Sequence, residues 1–238
     1  MQIFQLKLVF KKEENYIDKK FYYSILGAVL NLLENDNQIY DSILKISYSF
    51  DKEHLFVFIS VLWKDNFNLV ITKLLSQQNK KFSIDTYSFL LEKIDFNLKV
   101  LDFSSLNLYE IEKFSLKFLS PTQIRNQNKI FTLPQPDRFL FSVYQKLKIL
   151  WLEFDIDEKD FKKWLAYSIL PKQFDIKTDL VEIKKSPRAG VVWSISYIVY
   201  EKNETYQQIL SAILQAIPYI WLGSGTKLWL GNVKTFYN

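Results

Sequence analysis

Gly223, Gly225 and Gly231 stand in the segment WLGSGTKLWLGN, and they are three of only five glycines in 238 residues. A chain so sparing with glycine uses it where the backbone takes positive φ or where phosphates approach main-chain amides. Lys227 lies inside this frame, Lys234 follows it, and the helix-like run 206–217 precedes it. Helix, glycine loop and strand in that order would offer amides and cations to an anion. A tight turn joining a helix to a last strand fits the same residues, since a lone G-x-G pair is a weak signal. Trp229, next to the loop cation, is the aromatic side chain placed to stack on a base, or else to pack behind the loop.

Proton transfer has few candidates. His54 is the single histidine and there is no cysteine, which excludes thiolate nucleophiles, disulfides, zinc-thiolate sites and multi-histidine metal centres. His54 has the intrinsic pKa for acid–base work, but beside Asp51 and Glu53 it reads more readily as a solvated or hydrogen-bonded surface group at the mouth of a turn. No metal or other cofactor is expected.

Lys and Arg number 31 against 26 Asp and Glu, a net charge of +5 and a lean toward polyanionic partners. Three of the cations are arginines: Arg125, Arg138 and Arg188. All lie in the second half near a proline or in a polar stretch, and guanidinium groups suit bidentate phosphate contacts. The 48% apolar content supplies a core for one large or two ordinary domains. No apolar run reaches membrane-spanning length and the N-terminus alternates like a strand instead of a leader, so a cytoplasmic protein is expected.

The elements that must hold these residues follow from periodicity. Alternation predicts strands over 2–10, 42–50 and 54–63, the last two paired as a hairpin across Asp51 and Lys52, then β-rich stretches over 82–94 and 96–103. Helical stripes run over 19–34, where Asp18 can cap, and over 66–77. The order strand, helix, strand, strand, helix, strand is ferredoxin-like. It begins again with a strand over 109–119, a helix from Pro136 to Trp151, another over 158–168, strands over 174–184 and 191–200 joined by a turn over 185–190, a helix over 205–217 and a strand over 227–237. The fold class is therefore α+β, tandem ferredoxin-like (RRM-like) domains over 1–104 and 109–238, the second carrying the C-terminal glycine-rich loop.

Lys117-Phe-Leu-Ser-Pro-Thr122, the polar stretch through Arg125, Leu133-Pro-Gln-Pro136, the helix from Arg138, the hairpin turn ending in Gly190 and the Gly223, Gly225, Gly231 frame together carry a resemblance. They are similar to the CRISPR-associated repeat-RNA endoribonucleases, the sixth Cas protein family of the RAMP superfamily. The resemblance implies a protein that binds the repeat of a CRISPR precursor transcript and cuts it once without metal, leaving a 5′-hydroxyl and a 2′,3′-cyclic phosphate. The loop and a basic groove between the halves would position the RNA, with Lys227 and Arg188 on phosphates. A homodimer or membership of an interference complex is the further partnership it implies.

In much of that family a histidine follows the first helix, and the corresponding place here holds Tyr40. A tyrosine acts as acid or base only if neighbouring cations lower its pKa from about 10. Lys45 is the nearest such cation in sequence, and Lys19, Lys20, Tyr22 and Tyr23 are further candidates. Members without the histidine cut slowly with lysine and tyrosine groups, or only bind, so a non-cleaving homologue is the alternative. A small-molecule enzyme of the same fold is the third reading, against which stand the missing G-x-G-x-x-G after the first strand and the missing Walker lysine.

Overall fold

The structure, a computed structural model, describes residues 2–12, 28–29, 31, 43–62, 67–84, 87–100, 110–122, 124–126, 129–131, 135–149, 154–183, 186–220 and 233–237. The chain divides into two units, Met1–Leu101 and Asp102–Asn238. The first is built on β1 (Gln2–Lys12), β2 (Ile43–Phe50), β3 (His54–Leu62), α1 (Phe67–Leu75), β4 (Lys81–Ile84) and β5 (Tyr87–Val100). Ala28, Val29 and Asn31, the residues described between β1 and β2, are helical. The sheet order is β2-β3-β1-β5-β4 with every pairing antiparallel. Alternation drives the pairing: Leu6, Leu8 and Phe10 meet Ile59, Val57 and Leu55 in register, and all six are buried.

The β-rich stretches over 82–94 and 96–103 are instead a short β4 and a long β5, paired from Lys81↔Leu90 to Ile84↔Tyr87. Asp85 and Thr86 separate them, a pair without the glycine that marks a tight turn in sequence. α1 ends before Asn79, whose φ of 64° is the left-handed conformation that asparagine tolerates after a helix. Its amide donates to Leu91 O at 2.7 Å, tying the helix end to β5.

The second unit contains β6 (Lys113–Thr122), the small hairpin β7 (Ile124–Asn126) and β8 (Lys129–Phe131), α2 (Pro136–Ile149), α3 (Glu158–Ser168), β9 (Ile169–Ile183), β10 (Ser186–Val199), α4 (Glu204–Ala216) and β11 (Val233–Tyr237). Its main sheet runs β11-β6-β10-β9, again antiparallel. Pro136 opens α2, where a missing N–H costs nothing. Asp157 caps α3 by accepting from Lys159 N at 2.7 Å and Asp160 N at 3.1 Å, and Asn203 caps α4 through Tyr206 N at 3.0 Å.

Residues 186–190, expected as part of a turn over 185–190, are strand. β9 ends at Ile183 and β10 begins at Ser186, so Arg188 lies within a strand opposite Val181. Pro187 is compatible because, among the described residues, β10 pairs with β6 from Val191 onward and has no ladder on that edge at Pro187. β9 also starts at Ile169, directly after α3, five residues earlier than its sequence pattern predicts.

The core of this unit lies between the main sheet and the helices. Phe114 stacks on Tyr197 at 4.9 Å between centroids, Phe139 of α2 sits 5.7 Å from Tyr197, and Phe161 contacts Tyr144, Trp164 and Tyr206. Buried Gln207 of α4 accepts from Ile111 N at 3.0 Å and donates to Ile111 O at 3.2 Å, pinning the approach to β6. Gln207→Leu would strand both backbone groups away from water. A loss of about 2 kcal/mol in urea unfolding is the expected result.

Candidate nucleic-acid interface

In the first unit the pleat places Lys7 and Lys11 of β1, Lys45 and Ser47 of β2, and His54, Phe56, Phe58 and Ser60 of β3 on the sheet face opposite the one holding Leu6, Leu8, Val57 and Ile59. Lys7 Nζ lies 4.4 Å from the centre of the Phe56 ring, a cation–π contact, and His54 stacks on the same ring at 5.8 Å. Cations and aromatic rings thus interleave on this face.

Two of the proton-transfer candidates occupy it, far apart. Lys45 pairs with Ser60 and is only 3% exposed. Removal of its ammonium from water lowers the pKa from 10.5 to about 7. It is therefore a group with comparable acid and base populations at neutral pH, which is what proton transfer requires. His54 stands at the other end of β3, six residues from Ser60, or about 20 Å along the strand.

His54 is held by carboxylates on both ring nitrogens, Nδ1 at 3.4 Å from Asp51 and Nε2 at 3.5 Å from Glu92, with Lys11 3.8 Å from Glu92. Asp51 in turn accepts from the amides of Glu53 at 2.8 Å and His54 at 2.6 Å, which hold its carboxyl below the usual range. The turn that the sequence marks by Asp51 and Lys52 is thus locked by the aspartate, and His54 is one of its struts. Tyr40, together with Lys19, Lys20, Tyr22 and Tyr23, lies outside the described residues.

In the second unit the three arginines sit on three different elements. Arg125 is in β7 opposite Ile130, Arg138 is in the first turn of α2 with Nε and Nη1 shielded from solvent, and Arg188 is in β10. Gly223, Gly225, Lys227, Trp229 and Gly231 lie outside the described residues; Lys234 is on β11, exposed. Sequence reasoning missed Lys146 of α2, whose pKa burial lowers to about 8. Its place on the helix, one residue before buried Leu147, was the available signal.

Two ferredoxin-like units in tandem, each an antiparallel sheet with helices, define the class of protein by its architecture. Solved structures with this architecture span the whole chain. A Cas6 product complex superposes with a TM-score of 0.80 at 16% identity, covering 99% of this chain and 100% of that one. A Cas6 substrate-mimic complex gives 0.75 at 15%, covering 98% and 99%, and a Cas6 of Thermus thermophilus gives 0.76 at 12%, covering 98% of each. No protein-family model matches the sequence, and no curated protein matches it. At these identities the likeness establishes the fold. Among the described residues no helix is long and apolar enough to cross a membrane.

Proposed function

We propose that this protein binds CRISPR repeat RNA and cleaves the precursor transcript within the repeat. The observation that carries the reading is the end-to-end likeness to a Cas6 solved with its product, at a TM-score of 0.80 over essentially both chains. The sequence resemblance through Ser120-Pro121-Thr122, Pro136 and the glycine frame supports the same reading independently.

In the proposed reaction the ribose 2′-oxygen at the cut attacks the adjacent phosphorus, forming one P–O bond while the bond to the 5′-oxygen breaks. The products are a 2′,3′-cyclic phosphate and a 5′-hydroxyl. One protein group takes the 2′-hydroxyl proton, another returns a proton to the departing 5′-oxygen, and cations stabilise the charge on phosphorus. Lys45 serves proton transfer, since both its forms are populated near neutral pH, with Tyr40 and His54 as the other candidates. Arg125, Arg138, Arg188, Gly223, Gly225, Lys227, Trp229 and Gly231 are the proposed RNA contacts.

The test is incubation with labelled repeat RNA in EDTA, beside the same RNA carrying a 2′-deoxy residue at the cut. The expected result is cleavage of the first and binding without cleavage of the second. Scission of the deoxy RNA would overturn the internal attack, and absence of both binding and cleavage would return the protein to the small-molecule reading. Tyr40 at the place of the family's histidine favours one second reading, a homologue that binds repeat RNA without cutting it; binding of both RNAs with cleavage of neither is its signature.

A further inference from the structure

The second unit's sheet, β11-β6-β10-β9, has an outer face turned away from the helices. Val233, Thr235 and Tyr237 of β11 alternate with Lys234 and Phe236, and Thr235 Oγ1 donates to Leu214 O of α4 at 3.0 Å, so Lys234 and Phe236 point away from the helices. Their register partners on β6 are Lys117 and Ser115, on the same outer face. Phe236 is 56% exposed, a large apolar side chain left in water.

Two features give this face an occupant. Lys117 and Lys234 stand directly opposite each other across β6 and β11, both exposed, an arrangement that like-charge repulsion makes unfavourable unless an anion lies over it. Beside them Phe236 walls a concavity of about 300 Å³ that Lys113, Lys172 and the hydrogen-bonded pair Ser115–Ser196, at 2.7 Å between hydroxyl oxygens, also line. An aromatic ring beside a hollow of mixed aromatic and hydroxyl lining, with the ammonium groups of Lys113 and Lys172 on its wall, is the physical arrangement that holds an unpaired base by stacking and its phosphates by charge.

We propose that the outer face of the second sheet binds an unpaired stretch of RNA, with one base stacked on Phe236 over the Ser115–Ser196 hollow and its phosphates along Lys117 and Lys234. This rests on the reading that the protein is an RNA-binding one, and it adds a contact surface on the sheet to the loop and arginine contacts proposed above.

The test uses the full chain and a fluorescein-labelled RNA of about 15 nucleotides without self-pairing, titrated by anisotropy over a range of salt. Phe236→Ala should weaken binding about tenfold while Phe236→Trp retains it. Lys117→Ala combined with Lys234→Ala should lower the slope of log K against log salt by about 1.4, the value for two single-strand phosphate contacts. Lys159→Ala with Lys163→Ala, exposed on α3, serves as the matched loss of charge and should bind like wild type. Thermal melts confirm that these surface changes leave the fold intact. If wild type binds and all the sheet variants match it in affinity and slope, the proposal is overturned while the RNA reading stands. Loss with the lysine pair but not with Phe236→Ala overturns the stacking site. A wild-type protein that binds neither this RNA nor repeat RNA overturns both readings.

Discussion

Lys45→Met should lower the single-turnover cleavage rate by about 10²- to 10⁴-fold, the range for losing one general acid or base, while repeat-RNA affinity changes little. The wild-type rate should show an ionisation near pH 7 that the variant lacks. Stability moves the other way. Burial lowers the folded-state pKa below the unfolded value of 10.5, so between about 7 and 10.5 the unfolded chain binds more protons and stability rises with pH. Below pH 7 the folded protein carries a buried ammonium, a cost on the order of a few kcal/mol.

Methionine keeps the length of the side chain and removes that cost, so Lys45→Met should melt higher than wild type at pH 6, with the advantage fading toward pH 10. A variant more stable at pH 6 and yet unable to cut cannot owe its defect to unfolding. His54→Ala is the companion measurement. With His54 about 20 Å along the strand from the lysine's partner Ser60 and engaged by Asp51 and Glu92, the rate should fall less than about tenfold, short of the loss for a general acid or base. Unchanged cleavage in Lys45→Met, with the stability signature intact, would make the lysine a buried structural group and pass the chemistry to His54 or Tyr40.

The second large effect is on folding. Phe161 is fully buried on α3 and its ring lies 5.2 Å from Tyr144 of α2, 6.1 Å from Trp164 and 5.3 Å from Tyr206 of α4. It is the side chain at which three helices meet. Phe161→Ala should cost about 3–5 kcal/mol, because rings held from three sides cannot collapse into the space. A melting midpoint lowered by roughly 10 °C is the corresponding readout, and Phe161→Leu should recover about half. A cost below about 1 kcal/mol would mean that the site closes around the smaller side chain.

The strands and helices were legible because their signal is local. Alternation in QIFQLKLVF specifies β1, the Asp51 turn specifies the β2–β3 hairpin, and the helical stripe over 158–168 gives α3 over the same residues. Asp85–Thr86 and Pro187 misled the reading for the same reason. The first is a break between strands that no glycine marks in the sequence, and the second is a proline whose acceptability depends on the pairing of β10, a property of the sheet and not of the segment.

By itself the sequence determined the tandem α+β plan, the poverty in histidine and cysteine, and the cationic balance, all properties of residue type and short-range period. Tertiary structure alone decided what the lysines are. Lys45 sits in an unremarkable KIS tripeptide and becomes a near-neutral group only because the folded chain takes it out of water. Lys117 and Lys234, distant in sequence, become one charge pair only because β11 returns to lie against β6 in that register. Charge and polarity are written residue by residue, but desolvation and proximity are created by pairing distant strands, and these turn ordinary side chains into a candidate site.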